Sequence, residues 1–449
     1  MGGTVTEAKA ASGKGKARGR GGAKPIAISD SANFYCSCER IFDPKLRGVP
    51  VIVLSNNDGC AIARSDEAKA LGIRMGDPLH LIRDKIEEHG IRVFSSNYTL
   101  YHSVSVQIAN IYAMFSPNVE VYSIDESFLD FSGFGHTGRD CERYARAMRQ
   151  RVMDWVGVPV RVGIAPTKTL AKAANEIAKK NPICDGVLDA MDETIRSWVL
   201  DRMPVGDLWG VGSRTEAKLH ALGIGTAAEL RDMPLRQARA IGTVVLERLV
   251  LELQGEPCLD LELIAPQRKG MAVTRSAGTP MTDRHTLLEA MTAHATRAAE
   301  KLRQHGLVAG TLTAFFHTNR HKPDRPQHGA SRTTKLFGMS NDTLDLVKAA
   351  RRCVEAAWKG DPEQSKYAYT KAGVMLDDLV PEADRPKMLF DEERTVPERV
   401  SRVLDDVNGR WGQKTLVLGS EGFTRSWKLR ADHHSPRYTT RLSDVPVVH

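Results

Sequence analysis

The sequence predicts a multi-domain α/β protein, and three observations support this. Segments with strand and helix character alternate from Ile26 to about Cys184, as in a domain with one mixed sheet. Residues 190–257 have the pattern of short helices separated by glycine turns, without a good strand. Strand and helix patterns return at Met271, after a linker (258–270) that contains proline and glycine. At 449 residues the chain is long enough for several domains.

Each element of the first α/β region follows from its local pattern. Short apolar runs between polar residues predict strands at Ile26–Ser29, Val49–Ser55 and Val158–Ala165. Periodic apolar positions, with an N-cap residue at Ser65, predict helices at Ser65–Ile73, Val104–Phe115, Cys141–Val156 and Thr167–Lys180. The alternating stretch Val121–Phe131 predicts a β-hairpin.

The same patterns predict a second α/β unit after the linker. A strand begins at Met271, and the remaining predicted elements are the helices Leu287–Gly306 and Asp342–Trp358 and the strands Gly310–Phe316 and Lys371–Leu376. After about Leu379 the chain is polar and its patterns are broken, which predicts only partial order.

Composition limits the possible functions. The net charge of +8 and the pI near 9.1 favour a polyanionic partner. No apolar run approaches transmembrane length and no signal-peptide core is present, so we expect a cytoplasmic protein without a membrane partner. The seven cysteines lack the paired spacing of a zinc site, which indicates reduced, structural thiols. Residues 1–24 predict a disordered basic arm that solubilises the chain or, less favoured, grips phosphates.

Three carboxylates are the candidate metal ligands. Asp30 follows the first strand, and Asp125 and Glu126 stand at the bend of the predicted hairpin. If both strands lie centrally in one sheet, the three side chains meet at one edge. Such hard oxygen donors suit Mg²⁺, and two ions could stabilise both oxygens of an in-line phosphoryl displacement. The alternative is a solvated turn, since acids are common in bends.

Basic residues for phosphate binding lie near two predicted helices. Arg64 and Lys69 flank the start of one helix, and Lys179 ends the alanine-rich helix. Lys168 and Lys172 share a face one turn apart on that same helix, and for these two a solvated charged face is the favoured interpretation.

A glycine turn in the helical region predicts a phosphate contact. Gly210 and Gly212 flank Val211 before a helix, so a phosphate could approach the backbone N–H groups at the start of that helix. Such a turn would grip a nucleic-acid backbone without reading bases. An ordinary interhelical turn is the alternative.

Several motifs in this order resemble those of the Y-family, or translesion, DNA polymerases, and the UmuC-type branch most closely. The match covers nearly all of residues 26–445 and is carried by the stretches DSANFYCSCE (Asp30–Glu39), VIVLSNNDGCAIARSDEAKALGIRMGDP (Val51–Pro78), FSSNYTLY (Phe94–Tyr101), SIDESF (Ser123–Phe128), VGIAPTKTLAKAAN (Val162–Asn175), WGVG (Trp209–Gly212) and SPRYTTRLSD (Ser435–Asp444).

The resemblance implies an α/β (α+β) right-hand architecture with palm, small fingers, helical thumb and an α/β little-finger domain. The implied divisions are a palm at 25–34 and 104–185, fingers at 35–103, a thumb with a helix-hairpin-helix at 186–257, the linker at 258–270, a little finger at 271–378 and a C-terminal tail for partner binding at 379–449. Lys218, Gly210 and Gly212 would contact DNA in the thumb.

The resemblance also assigns roles in the active site. It implies that Asp30, Asp125, Glu126 and the backbone carbonyl of Ser31 bind two Mg²⁺ ions. Tyr35 matches the steric gate, an aromatic ring that excludes a ribose 2′-hydroxyl.

The remaining assignments concern the nucleotide and the sliding clamp. Phe34 either contacts the nucleotide or belongs to the core, and Lys179 matches the triphosphate-binding lysine. Many relatives carry a Tyr and an Arg at the start of the fingers helix. Here Lys69 keeps the charge without the bidentate fork, and Arg64 could replace part of that contact. Leu389 and Phe390 match a clamp-binding peptide, weakened by Pro386 where a glutamine is usual, or are only apolar tail residues.

The implied function is error-prone, template-directed DNA synthesis across lesions in the DNA damage (SOS) response. Implied partners are primer–template DNA, dNTP, a UmuD-type dimer, a RecA filament and the sliding clamp. A non-catalytic DNA-binding accessory subunit is the alternative, and the presence of Tyr35 and all three acids argues against it. A two-metal nuclease is a further alternative, in which Tyr35 and the lysine-bearing helix would have no evident role.

Overall fold

The computed structural model describes residues 24–133, 138–264, 266–386 and 395–446. In chain order the strands within these ranges are β1 (Ile26–Ser31), β2 (Val51–Leu54), β3 (Ala61–Arg64), β4 (Arg92–Ser95), β5 (Val119–Val121), β6 (Glu126–Asp130), β7 (Val160–Ala165), β8 (Val187–Asp189), β9 (Gly270–Met281), β10 (Leu307–Thr318), β11 (Gly329–Ser340) and β12 (Tyr369–Pro381). The helices are α1 (Phe34–Phe42), α2 (Asp66–Ala70), α3 (Arg83–Glu88), α4 (Tyr98–Phe115), α5 (Gly138–Val156), α6 (Lys168–Lys180), α7 (Glu193–Arg202), α8 (Ser213–His220), α9 (Ala227–Arg231), α10 (Leu235–Leu253), α11 (Arg284–Gln304), α12 (Thr343–Ala357) and α13 (Thr395–Trp411). The predicted basic arm lies outside these residues except for Lys24.

The chain forms two compact units. Among the described residues, the first unit contains those of 24–32 and 104–263, and the second contains those of 33–103 and 264–446. The single mixed sheet predicted up to Cys184 is therefore wrong. In the described part of the chain, strands β2, β3 and β4 form no ladder with β1 or with the strands beside β1, so they form a separate sheet.

The first unit is built on a five-stranded sheet in the order β5-β6-β1-β7-β8. The central strand β1 is antiparallel to both β6 and β7, and β8 runs parallel to β7. Helix α6 packs closely against this sheet at Gly163. A Cβ atom at Gly163 would lie 2.2 Å from the carbonyl oxygen of Ala171, so only glycine permits this approach. The Thr167 hydroxyl caps α6 by accepting a hydrogen bond from the Leu170 N–H.

Helices α7 to α10 complete the first unit. Their apolar side chains join those of α6 in one core, to which Leu200, Leu219, Leu230, Leu246 and Leu253 contribute. The prediction of helices without a strand in residues 190–257 is confirmed, but α10 is 19 residues long and is not short; its backbone departs from helical geometry at Gly242 and Thr243.

The second unit contains a three-stranded sheet in the order β3-β2-β4. All four residues of β2 are fully buried, as its continuous apolar run predicts. Ser65 caps α2 as predicted, because its hydroxyl accepts a hydrogen bond from the Ala68 N–H. The helix ends at Ala70, before the predicted end at Ile73.

A four-stranded antiparallel sheet, in the order β11-β10-β12-β9, forms the rest of the second unit together with α11 and α12. The predicted elements from Met271 to Leu376 are present, but β11 was not predicted. Its N-terminal half is largely exposed and polar, so the sequence there lacks the apolar alternation that identifies a strand. No helix in the described residues is long and apolar enough to cross a membrane.

The expectation of partial order after Leu379 is wrong for residues 395–446. Trp427 is 9% exposed and belongs to the core of the four-stranded sheet, where its ring meets His294 edge-to-face at 5.6 Å. The Trp427 carbonyl accepts a hydrogen bond from the Gly278 N–H at 3.2 Å. The segment is therefore tied at Trp427 to a core formed by distant parts of the chain.

The substitution Trp427→Ala tests this packing, and Trp411→Ala is the matched control. We expect Trp427→Ala to cost about 3–5 kcal/mol of unfolding free energy, because it leaves a large cavity. Trp411 is exposed, so its substitution should change stability by less than about 0.5 kcal/mol. Urea denaturation monitored by circular dichroism measures both, and equal midpoints for the two variants would contradict the packing of Trp427.

Candidate active site

The register of the central sheet brings two of the three candidate acids together. Asp30 on β1 pairs directly with Glu126 on β6, and the Ser31 N–H donates a hydrogen bond to the Asp125 carbonyl at 2.9 Å. The β5–β6 hairpin forms as predicted, but Glu126 is the first residue of β6 and does not lie in the bend. Directly paired residues place their side chains on the same face. The sheet therefore explains why acids nearly a hundred residues apart become neighbours.

Burial and charge act together on Asp30. Burial raises the pKa of Asp30 to about 6, with a smaller rise from the carboxylates of Glu126 and Asp125, although Lys179 opposes this rise. Lys179 Nζ lies 3.0 Å from Asp30 Oδ2. Burial lowers the pKa of Lys179, but the charge and hydrogen bond of Asp30 outweigh this and raise it overall. The ammonium group of Lys179 therefore stabilises the charged form of Asp30 in its partly buried position.

Lys172 contacts the site, contrary to the prediction of a solvated face. Its Nζ lies 2.9 Å and 3.0 Å from the two carboxylate oxygens of Glu126. The ammonium group also lies over the rings of Tyr122 and Trp209, at 4.9 Å and 5.2 Å from their centroids. The signal was available in the sequence, because Lys172 and Lys179 are seven residues apart and thus share a helix face.

Lys168 is also not on a solvated face. It is 4% exposed and forms a buried ion pair with Glu120. Glu120 additionally accepts a hydrogen bond from the Glu262 N–H at 2.8 Å. No local pattern in the sequence identifies a partner for Lys168, because Glu120 reaches α6 through the β5–β6 pairing.

The candidate metal ligands are all oxygen donors, but lysines and a serine occupy them in this structure. In the described residues no group of three or more His, Cys, Asp or Glu side chains is close enough to hold a metal ion as arranged. Lys179 and Lys172 hold two of the acids, and the Ser123 hydroxyl donates to Asp125 at 2.6 Å. Three carboxylates and a carbonyl are nevertheless the oxygen ligands that Mg²⁺ prefers, so the residues fit once the ammonium contacts are exchanged.

In the second unit, Tyr35 lies in the first turn of α1 and is half-buried. Its ring stacks on Tyr101 with a centroid distance of 4.5 Å and meets the edge of Tyr98 at 5.9 Å. Phe34 is 4% exposed, which favours its interpretation as a core residue over a nucleotide contact.

The other predicted phosphate ligands of the second unit already have protein partners. The Arg64 guanidinium donates to the Ile73 carbonyl at 3.1 Å. Lys69 Nζ contacts the side-chain oxygens of Asn33 at 2.6 Å and Asp66 at 2.9 Å. Lys69 is more exposed than Arg64, and 40% of the Lys69 side chain is accessible to solvent.

The predicted glycine turn in the first unit is present. Gly210 has a φ of +96°, which glycine tolerates best, and Gly212 immediately precedes α8. A Cβ atom at Gly212 would meet nothing within 4 Å, so internal packing does not require glycine there. The backbone is thus open to a ligand. Lys218 Nζ donates to the Ile241 carbonyl at 3.3 Å, and Leu389 and Phe390 lie outside the described residues.

Most of the chain matches known protein families. Residues 29–176 match the impB/mucB/samB family, residues 268–389 its C-terminal domain, and residues 196–224 the helix-hairpin-helix motif described for the IMS family. Residues 398–448 match a domain of unknown function, DUF4113.

Individual relatives agree with these matches. Protein ImpB of Salmonella typhimurium is 41% identical over 94% of this chain and 99% of its own length, and protein UmuC of strain LT2 of that species is 40% identical over the same shares. DNA polymerase IV of Moorella thermoacetica is 31% identical over 87% of this chain and 94% of its own. The chain therefore belongs to the impB/mucB/samB family, the UmuC-type branch of the Y-family DNA polymerases.

A solved structure confirms the predicted fold class. A Y-family DNA polymerase chimera of Dbh and Dpo4 superposes with a TM-score of 0.63 at 20% identity, covering 79% of this chain and 99% of the chimera. The architecture is thus that of palm, fingers, thumb and little finger, and the predicted enzyme class, DNA-directed DNA polymerase, is confirmed at the level of the family.

The substitution Lys168→Met tests the buried pair with Glu120, and Lys180→Met is the matched control on the same helix. We expect Lys168→Met to cost about 3–5 kcal/mol, because it leaves a buried carboxylate without its partner. The exposed pairs of Lys180 should contribute at most about 1 kcal/mol. Urea midpoints measure both effects, and a Lys168→Met midpoint equal to that of the control would show that the pair is not buried in solution.

Proposed function

We propose that this chain is an error-prone, template-directed DNA polymerase that carries out translesion synthesis in the DNA damage (SOS) response by two-metal phosphoryl transfer. The observation that carries the proposal is the pairing of Asp30 with Glu126, beside Asp125, in a chain of the UmuC-type family. Two lysines of α6 contact this acidic group, as a site that handles both metal and phosphate requires.

The metal ligands in this proposal are Asp30, Asp125, Glu126 and the carbonyl of Ser31. Two Mg²⁺ ions, when bound, would lower the pKa of the primer 3′-hydroxyl and neutralise the departing pyrophosphate. Lys179 and Lys172 would then lose their contacts with Asp30 and Glu126, and Lys179 would keep Glu176 as a neighbour at 3.5 Å. Lys179 is only partly buried, with 28% of its side chain exposed, so its ammonium group can turn to a triphosphate.

The remaining nucleotide contacts follow the family resemblance. Lys69, and Arg64 with its remaining N–H groups, would hold the triphosphate from the fingers. Tyr35 would act as the steric gate, because a flat ring under the sugar leaves no room for a 2′-hydroxyl. The small fingers imply an open site that tolerates damaged bases, and hence low fidelity.

The domain assignment is part of the same proposal. The palm takes residues 25–34 and 104–185, the fingers 35–103 and the thumb 186–257. The linker (258–270), little finger (271–378) and partner-binding tail (379–449) follow. In the thumb, Gly210, Gly212 and Lys218 would contact the backbone of primer–template DNA, and the open space at Gly212 supports a close approach of phosphate.

The proposed protein partners are a UmuD-type dimer and a RecA filament. Leu389 and Phe390 would give weak binding to the sliding clamp. These partners rest on the resemblance to the UmuC-type family alone.

Loss of the acids tests the catalytic assignment. We expect Asp30→Asn, Asp125→Asn and Glu126→Gln each to reduce primer extension at least about a hundredfold, since each removes an anionic ligand of the metal site. DNA binding should persist in each variant, which band-shift assays can measure beside primer extension. Asp130→Asn is the control. Asp130 lies on β6, as Glu126 does, but it pairs with Ile26 at the other end of the β1–β6 ladder.

The same assay decides between the polymerase and the alternative, a non-catalytic accessory subunit. An accessory subunit would bind DNA without extending a primer, and the acid substitutions would change nothing. Full extension by the Asp125→Asn, Glu126→Gln double variant would falsify the metal-ligand assignment.

The role of Lys179 in triphosphate binding has a separate test. We expect Lys179→Ala to raise KM for dNTP about tenfold or more, since a charge-assisted hydrogen bond to phosphate contributes about 1.5–3 kcal/mol. Lys180→Ala is the matched control, because the neighbouring Lys180 pairs with Glu176 and Asp207 on the surface. Single-nucleotide incorporation kinetics measure both, and an unchanged KM in Lys179→Ala would contradict the assignment.

A further inference from the structure

The ring of Tyr35 rests on an aromatic side chain that is fixed in the core. Tyr101 is fully buried and stacks on Tyr35 at a centroid distance of 4.5 Å with an interplanar angle of 16°. Tyr98 meets the rings of both from the side, at 5.9 Å and 6.3 Å. Because close-packed interiors resist displacement, the position of Tyr101 limits how far the Tyr35 ring can retreat.

A buried carboxyl group holds Tyr101 in place. The Tyr101 hydroxyl donates to Glu39 Oε1 at 2.7 Å, and the Ser435 hydroxyl donates to the same oxygen at 3.0 Å. Glu39 lies on α1, one turn after Tyr35, and is 2% exposed. Burial raises the pKa of Glu39 to about 7, and the two hydrogen bonds oppose this rise. A buried acid of this kind needs its donors, so it couples Tyr101 to Ser435.

Ser435 is itself held at the start of α4. The Asn97 amide donates to the carbonyl and hydroxyl of Ser435, at 3.2 Å and 3.0 Å, and to the Pro436 carbonyl at 3.1 Å. Asn97 Oδ1 accepts from the Leu100 N–H at 3.3 Å. One amide thus caps α4, which carries Tyr101, and binds the C-terminal segment.

Ser435 belongs to a segment, residues 427–438, that we name the C-terminal strap. It begins at Trp427, in the core of the four-stranded sheet. It then contacts strand β4, where the Ser95 N–H donates to the His433 carbonyl at 2.9 Å and the His433 N–H donates to the Ser95 hydroxyl at 3.0 Å. It ends at Tyr438, which stacks on Phe42 of α1 at 4.5 Å. The strap is therefore anchored on both sides of Ser435.

We propose that Glu39 and Ser435 are positioning residues for sugar selection, through which the C-terminal strap holds Tyr101 behind Tyr35. This inference rests on the proposed function of Tyr35 as the steric gate. Repulsion between atoms rises steeply as they approach, so a filter based on exclusion depends on a firmly held ring. The proposal gives a role to part of residues 398–448, the domain of unknown function.

Selection between ribonucleotides and deoxynucleotides tests the proposal in the full-length chain. The variants are Ser435→Ala, Tyr101→Phe and Tyr35→Ala, and the control is Ser443→Ala, an exposed serine of the same C-terminal region. The measurement is kcat/KM for rNTP and for dNTP on undamaged primer–template. Loss of one hydrogen bond in the network should raise the ratio of rNTP to dNTP use about two- to tenfold. Tyr35→Ala should raise it further, and the control should leave it unchanged.

The outcomes separate this inference from the function on which it rests. If Tyr35→Ala raises rNTP use while Ser435→Ala and Tyr101→Phe match the control, the gate stands and the positioning role is wrong. If Tyr35→Ala does not raise rNTP use, the gate itself is wrong and the inference fails with it. Equal loss of rNTP and dNTP use in Ser435→Ala would show a purely structural role. In the expected case, adding Ser435→Ala to Tyr35→Ala produces no further rise, because the ring that Ser435 positions is absent.

Discussion

The matching of carboxylates with lysines along one face of α6 is the interaction on which the first unit depends. Gly163 allows α6 to approach the central sheet more closely than any side chain would permit. Lysines on this face then reach the acids at the sheet, in the pairs Lys168–Glu120, Lys172–Glu126 and Lys179–Asp30. Without these pairs the acids would repel each other and resist burial, so the lysines make an acidic site compatible with a folded sheet.

The three pairs differ in burial. This difference distinguishes one structural pair from two pairs that the proposed reaction would use. Lys168 and its partner Glu120 are almost completely buried, with 5% and 7% of their side chains exposed, so an incoming ligand has little access to this pair. Lys179 and Lys172 are more accessible, and each partner acid is a proposed metal ligand. In the proposed mechanism, a metal ion at these acids would replace the ammonium groups, and the lysines would then be available to an anionic substrate.

In the second unit a buried polar network links distant elements, and Ser435 near the C-terminus is one of its members. Glu39 lies at its centre and accepts hydrogen bonds from two elements far apart in sequence. Buried polar groups of this kind are costly unless every partner is present, so the network specifies one arrangement of α1, α4 and the C-terminal strap. The region described as a domain of unknown function is, in this chain, part of the folded second unit.

Local patterns in the sequence by themselves determined most helices and strands, the acidic hairpin and the glycine turn, because these depend on periodicity and turn chemistry within short stretches. The motifs also determined the family. Only the tertiary structure decided which side chains of those elements meet. In the structure Lys172 contacts Glu126, Phe34 lies in the core and β11 belongs to the four-stranded sheet. The segment around Ser435 is held by a hydrogen bond to Glu39. Each of these outcomes depends on contacts between residues distant in the chain. Helical spacing places Lys172 on the same face as Lys179, but it does not identify Glu126 as the residue that this face meets.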